Sequence, residues 1–594
     1  MEMKKEKTHN QNRNHDLSRF ALLIVSLIAI NIIGGFIFTR FDLTSEKRFT
    51  LSEPTRELLK KVDDHVFFKV YLEGEFPAGF KKLRRETKEM LDEFRAYNKL
   101  ISYEFINPLE GVGPAERAEV IRGLAERGLS ATELQMRSAS GNEQKLIFPS
   151  ALVMYHDKEI AIDLLENQLN ASPETVLNNS VQNLEFKLAD AIRRLSILQK
   201  PQLAFITGHA ELSPQETFDL VKTLKQDYEV SEVEIDGQIS ILTRRSEPDA
   251  NGNVRILPNY AAIIIAGPKQ PFSEKDKFII DQYIMYGGKV LWLIDPVLAT
   301  MDSLQMNEST VGVDLPLNLD DQLFKYGIRL NKALVMDMNS ASIPLRTGQI
   351  SGQAQIEFFR WPYFPLLQPA SSHPVVRNMN SLKADFVSPA VSVETVNVKK
   401  TPLLKTSDYS KVAGTPALIS LAMLRENPDP RQYTSGSQNV AWLLEGEFES
   451  LFANRIPPEI ADSKEIGFQE HSKKTAMIVV ADGDIARNQF HVPQGYPLPL
   501  GFDQYTRRTY GNKDFMLNAI SYLADETQLV SIRSRELKNR MLDPAKLKDN
   551  TIFWQILNIG LPLVFIAITG LTLIVVRRRK YAHKSSTRFQ PHEK

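Results

Sequence analysis

The residues best placed to do chemistry lie in the stretch Thr207-Gly208-His209-Ala210-Glu211-Leu212. An imidazole two positions from a carboxylate is a pairing from which a general base can be built. The stretch follows the apolar run Leu203–Ile206, so it falls at the carboxyl end of a predicted strand, where open α/β sheets hold their ligands. Gly267-Pro268 closes a second such run, Ala261–Ala266. Thr207, Gly208, His209, Glu211, Gly267 and Pro268 are therefore the candidate ligand-binding residues. A plainer reading competes, in which Gly208 makes a tight turn and His209 sits on its rim. We weight the plainer reading above catalysis and assign no catalytic residue. Asp482-Gly483-Asp484 could ligate a divalent cation, but two acids around one glycine at a strand end more often make a turn. Histidines elsewhere stand singly, and no metal site is expected.

Other chemistries are excluded by residue type. The chain has no cysteine, which removes disulfides, thiolate metal sites, cysteine nucleophiles and a lipoprotein anchor. Gly74 and Gly79 have the spacing of a phosphate-binding loop. Phe80-Lys81 follows them, however, where Lys-Ser/Thr must stand, and Pro77 interrupts the row of backbone donors. Gly111 and Gly113 are followed by Pro114 and Glu116, which fails as a dinucleotide fingerprint. HExxH and GxSxG are absent. No ATPase activity and no cofactor are expected. Lys+Arg and Asp+Glu are equal at 72 each, so no net charge draws the chain to nucleic acid.

The elements that must position these residues alternate. Between Gln202 and Ile294 predicted strands (Leu203–Ile206, Tyr228–Ile235, Ala261–Ala266, Lys289–Ile294) exchange with predicted helices (Pro214–Gln226, Glu274–Tyr286), which implies a parallel sheet covered on both faces. Ser273 caps the second helix and Gly287-Gly288 ends it. The pattern returns at Gln438–Glu445, Ala476–Val480 and the helix Asn512–Ala524. The intervening stretch 340–437 reads as an inserted β or irregular lobe, rich in Pro, Ser and Asn. Upstream, the order is strand His65–Leu72, helix Phe80–Leu100, strand Ile101–Ile106, helix Pro114–Gly128, a hairpin Lys145–Tyr155/Lys158–Asp163, and helix Asn183–Leu198. This β-α-β-α-β-β-α order resembles the thioredoxin fold, and Pro149 stands where that fold places a proline, commonly cis. Without a CxxC after the first strand it would be a scaffold or binding module.

Two apolar runs bracket this body. Thr551–Val576 carries no charge and is followed by Arg577, Arg578, Arg579 and Lys580. It is long enough to cross about 30 Å of hydrocarbon, and the basic flank marks the cytoplasmic side. Phe20–Phe38 is a second run, preceded by Lys4, Lys5, Lys7, Arg13 and Arg19 and lacking a small-residue cleavage site after it. An uncleaved anchor is preferred over a signal peptide. Asn31, Asn558 and Pro562, within the spans, are candidate contacts to a membrane partner. The expected localisation is a bacterial inner membrane, crossed twice, with both termini cytoplasmic and the body periplasmic.

The segments DLTSEKRFTLSEPT, YEFINP, TGHAEL, IIIAGP, YGGKVLWLIDP, LLEGEFESLFANR, YGNKDFMLNAISYL and VSIRSRE resemble the GldG family, the gliding-motility-associated component of an ABC transporter. They spread over nearly the whole chain. The resemblance implies a separate ATPase subunit and a multispanning permease as partners, with a link to gliding motility in Bacteroidota. It also implies a central unit similar to class I glutamine amidotransferase-like (flavodoxin-like) domains and to a domain of an intraflagellar-transport protein. The amidotransferase nucleophile is a cysteine, so any such likeness here is fold without function.

The expected architecture is a membrane-anchored α/β protein. It comprises a basic tail (1–19), a span (20–38), a thioredoxin-like domain (39–199), an amidotransferase-like parallel-sheet domain in two parts (200–339 and 438–545) around the lobe 340–437, a second span (551–576) and a basic tail (577–594). The expected function is a non-enzymatic subunit that binds an envelope protein or glycan ligand, contacts membrane lipid, and couples to a permease and ATPase. The alternatives are an envelope hydrolase centred on His209 and a structural adaptor that transports nothing.

Overall fold

The computed structural model describes residues 18, 20–29, 50–138, 141–166, 172–197, 199–235, 237–247, 255–350, 353–425, 428–463, 466–492, 494–525, 532 and 551–582. It divides into a large unit ending at Arg535 and a small one from Glu536 onward.

In the large unit, the chain enters through α1 (Glu53–Lys60), whose N-cap Ser52 accepts from the Thr55 amide and whose first turn holds Pro54. Four strands follow that form one sheet: β1 (Val66–Val70), β2 (Ile101–Phe105), β5 (Ser150–Tyr155) and β6 (Lys158–Asp163), in the order β2-β1-β5-β6. β1 and β2 are parallel, and β5 runs against both β1 and β6. Helices α2 (Ala78–Tyr97), α3 (Pro114–Glu126), α4 (Pro173–Gln182) and α5 (Leu184–Ser196) accompany the sheet. Alternation in β1 puts Val66, Phe68 and Val70 into the core, where Leu83, Leu91 and Phe94 of α2 and Leu184, Leu188, Ile192 and Leu195 of α5 meet them. Glu185 of α5 accepts from the Ser52 amide and the Thr55 hydroxyl, tying α1 to α5. Leu51 and Ile532 are buried in this same core.

The run Lys145–Tyr155, expected as one strand of a hairpin, is divided. Residues up to Ile147 belong to a separate hairpin of β3 (Thr132–Ser138) and β4 (Gly141–Ile147). Pro149, having no amide hydrogen to give a ladder, stands between that hairpin and β5. Among the described residues the cis peptide is Thr415–Pro416, not the bond before Pro149. The expected β5–β6 turn does lie at His156-Asp157, with His156 at φ +52°.

The second body is a ten-stranded sheet. Its parallel half holds β7 (Gln202–Thr207), β8 (Glu229–Glu234), β9 (Ala262–Ala266) and β10 (Val290–Leu293). To that half also belongs β15 (Thr475–Val480), and the rest of the sheet is β11 (Ser340–Ile350), β12 (Gln353–Pro369), β13 (Val398–Lys405) and β14 (Asn439–Gly446). The order is β11-β12-β13-β14-β15-β10-β9-β7-β8, with the short strand Leu382–Lys383 on β12. β15, β10, β9, β7 and β8 run parallel; β11 to β14 are antiparallel to their neighbours. β9 and β10 are buried at every position, as strands covered on both faces must be. The connections include α6 (Phe218–Leu224), α7 (Glu274–Met285) and α8 (Asn512–Ala524), and α8 packs on α6, β9, β10 and β15. Segment 340–437, expected as an inserted β or irregular lobe, supplies the long β11–β12 hairpin and β13, which continue the main sheet.

Among its described residues the small unit holds one helix, Thr551–Ala582, of which Ile552–Arg579 is long and apolar enough to cross a membrane. Pro562 lies within it. The Asn558 amide, expected to reach a partner, donates to the Trp554 carbonyl of its own helix at 3.0 Å. Of the first expected span, Phe20–Ala29 is helical and exposed. The remainder of that span, including Asn31, lies outside the described residues, as do 583–594.

Candidate functional site

The loops after β7, β9, β10 and β15 meet at the carboxyl edge of the parallel strands. The first, after β7, carries the histidine. Gly208 (φ +110°) and Ala210 (φ +55°) turn the chain sharply and fold His209 inward, leaving it 5% exposed. Its Nδ1 lies 3.3 Å from Glu211 Oε1 and its Nε2 lies 3.3 Å from Asp276 Oδ2. The ring stacks on Phe272 at 3.7 Å. The His209 carbonyl accepts from the amides of Lys269 and Gln270, so the backbone is tied as firmly as the ring. Asp276 is also the reciprocal partner of Ser273 in the capping box that opens α7. Burial pulls the imidazole pKa down, but the two carboxylates outweigh it and the net shift is upward. A ring held by acids on both nitrogens and covered on one face is a clamp between the β7 loop and α7. It offers no free nitrogen to a substrate.

The second loop brings Gly267 (φ +61°) against the loop after β15. A Cβ on Gly483 would stand 2.7 Å from Gly267 Cα and 2.5 Å from Asp295 Oδ2, so that position requires glycine for space. Asp295 ends β10 and accepts from the Gly483 amide at 2.8 Å. Asp482 is fully buried and accepts from the amides of Asp484 (2.8 Å) and Asp385 (3.2 Å). Asp482-Gly483-Asp484 thus makes the strand-end turn. Among the described residues no cluster has the make-up of a metal site.

Three carboxylates so close cannot all ionise cheaply. Burial first, then Asp484 nearby, pushes Asp295 up to about 7. Burial and then Asp385 push Asp484 up to about 6, against the pull of Arg487 and Lys269. Asp482 is raised well above its ordinary value by burial, then by Asp295 and Asp484.

Of these acids Asp484 reaches the wall of a crevice of about 310 Å³. Its walls include Lys383, Asp385, Asp484, Arg487, Tyr505 and Asn512. Lys383 pairs with Asp385 at 3.3 Å and lies over the Phe364 ring at 4.5 Å. Arg487 bridges Glu216 at 3.0 Å and Asp484 at 3.5 Å. Asn512, opening α8, exchanges hydrogen bonds with the backbone of Lys383. The arrangement suits a polar ligand that meets both charge signs.

Of the residues expected from sequence, Gly267 packs against Gly483 and Leu212. His209 and Glu211 lock the adjoining loop, and none of Thr207, Gly208, His209, Glu211, Gly267 and Pro268 lines the opening. Lys383, Asp385, Arg487 and Asn512 were not legible as site residues. Asp295 and Asp482 left a trace, each an acid just past an apolar strand, but their adjacency depends on β10 pairing with β15.

Residues 200–519 match a family described as "ABC-type uncharacterized transport system". Residues 45–154 match a domain of unknown function, DUF7088. An uncharacterized protein of Borreliella burgdorferi is 20% identical over 567 residues, covering 93% of this chain and 94% of its own length. Among solved structures, the mmIFT52 N-terminal domain is 13% identical, covering 54% of this chain and 96% of its own, with a TM-score of 0.29. A putative ThuA-like protein from Parabacteroides merdae is 10% identical, covering 55% and 90%, with a TM-score of 0.24.

Proposed function

The chain belongs to the ABC-type uncharacterized transport system family, matched over more than half its length, and on that premise we propose that it is a non-enzymatic, membrane-anchored accessory subunit. In this reading it is of the GldG kind, linked to gliding, and works beside a separate permease and a separate ATPase. Its body lies outside the inner membrane and binds a ligand or an envelope partner. The order β2-β1-β5-β6, with β5 reversed, supports a thioredoxin-like assignment for 39–199. The parallel half-sheet supports a flavodoxin-like, amidotransferase-like assignment for the central unit.

The observation that carries the reading is the shared burial of Leu51 and Ile532. Leu51 follows the first apolar run and Ile532 precedes the second, so the body receives both tethers through one core. Two tethers on one rigid lobe would transmit displacement of a permease to the body, where a single tether would swivel. The locked His209 argues against the hydrolase alternative.

Affinity isolation of the full-length chain from detergent-solubilised native membranes tests the proposal. A permease and an ATPase should be recovered at fixed stoichiometry, and recovery of neither refutes it.

A further inference from the structure

Adjoining the crevice through Tyr505, residues of the β11–β12 hairpin line two neighbouring cavities. One is about 520 Å³ and the other about 490 Å³, and both are lined by Ser340, Phe358 and Arg360. Each falls in the size range of small-ligand sites.

The larger cavity has an unusual lining. Arg360 and Arg508 both line it, and neither guanidinium has an ion pair or hydrogen bond among the described residues. No carboxylate lines it. Ser340 is 7% exposed and its hydroxyl has no hydrogen-bond partner, so a buried donor stands at the cavity wall unsatisfied. Ser342, Tyr505 and Tyr510 add further hydroxyls. Phe358 and Tyr505 are 51% and 48% exposed, so flat aromatic surface is offered to solvent beside the cations. The second cavity contains Asp429, whose carboxylate accepts from the Arg431 amide, so it is the less suited of the two to an anion.

We propose that this double cavity binds an acidic oligosaccharide, with its carboxylate or phosphate held between Arg360 and Arg508. Guanidinium groups pair with planar carboxylates and with phosphates through two parallel hydrogen bonds. The hydroxyl-rich wall matches the alternating donors and acceptors of a sugar, and the buried Ser340 hydroxyl gains the partner it lacks. The exposed aromatic faces suit the apolar faces of pyranose rings. An acidic peptide would satisfy the arginines but would leave the hydroxyl wall unused. The assignment does not rest on the transport reading, since binding is measured on the chain without partners.

The test is calorimetric titration of the full-length chain in detergent with tetragalacturonate and with a mannose tetrasaccharide carrying one phosphate. Methyl-esterified tetragalacturonate and hexaglutamate serve as comparisons. At least one acidic sugar should bind. The double variant Arg360→Ala/Arg508→Ala should bind it roughly tenfold or more weakly, as expected for lost charge-assisted hydrogen bonds. Both side chains are exposed, so the variant should melt with the parent protein. Esterification should weaken binding of tetragalacturonate to a similar degree. The assignment is overturned if neither acidic sugar binds, if hexaglutamate binds as well as they do, or if the double variant binds them undiminished.

Discussion

Leu51 and Ile532 are buried in one apolar core, although nearly the whole folded body lies between them in sequence. The core of the N-terminal lobe therefore takes one side chain from the start of the body and one from near its end. Truncating Leu51, 2% exposed, to alanine removes buried methyl groups and should cost about 2–4 kcal/mol. Ile532→Asp should cost at least as much, because it buries a charge with no partner. Denaturant unfolding of the full chain measures both, and unchanged midpoints would mean that the two side chains do not hold that core.

The His209 clamp has a signed pH dependence. Its pKa is raised on folding, so its contribution is complete below the unfolded value of about 6.5 and is lost as pH rises through the higher folded value. His209→Gln should cost about 1–3 kcal/mol at pH 6 and clearly less at pH 9. Complex assembly should survive the substitution. A folded variant whose assembly is intact but which has lost a hydrolytic activity of the parent would favour the enzyme reading.

Asp295 acts in a lower window. Its carboxyl is raised to about 7 on folding, so the native state holds a proton that the unfolded chain releases near pH 4. Stability from this group is complete below about pH 4 and is lost between there and about pH 7. Asp295→Asn keeps the oxygen that accepts from Gly483 and removes the ionisation. The variant should be more stable than the parent at pH 8, by on the order of 2 kcal/mol, and the decline between pH 4 and 7 should flatten. A parallel pH–stability curve would contradict the buried-acid assignment.

Gly483→Ala tests the close approach of the loops. The added methyl meets Gly267 Cα and the Asp295 carboxylate well inside contact distance, so at least ~2 kcal/mol should be lost. Gly483→Ala should fold no better at pH 5 than at pH 8 once the slope of the parent is subtracted, since the clash involves backbone as well as carboxylate. Melting curves at the two pH values decide it.

Local signals explain what the sequence disclosed. Strands with unbroken apolar runs, such as β9 and β10, and capped helices such as α7 were legible because periodicity and caps are local properties. Helix Asn512–Ala524 was legible to the residue. The division of Lys145–Tyr155 at Pro149 was missed because both halves are apolar and extended, and only partner choice separates them. Segment 340–437 read as an inserted β or irregular lobe because its strands carry Pro, Ser and Asn, and that β11–β13 extend the main sheet depends on pairing no local pattern announces. The crevice was missed for the same reason. Lys383 and Asp385 stand about a hundred residues from Arg487 and Asn512 in sequence, whereas His209 and Glu211 caught the eye by being neighbours.

The central claim is that one folded body stands outside the membrane, tethered at both ends, with both tails inside. The chain has no cysteine, so single cysteines can be labelled without background. Val396, 83% exposed on the body, is replaced in one variant, Thr8 in a second and Ser586 in a third. Each intact-cell preparation, with its outer membrane permeabilised, is treated with a membrane-impermeant maleimide. Val396→Cys should label at once, and Thr8→Cys and Ser586→Cys only after the inner membrane is lysed. Labelling of either tail in unlysed cells, or protection of Val396→Cys, would contradict the account.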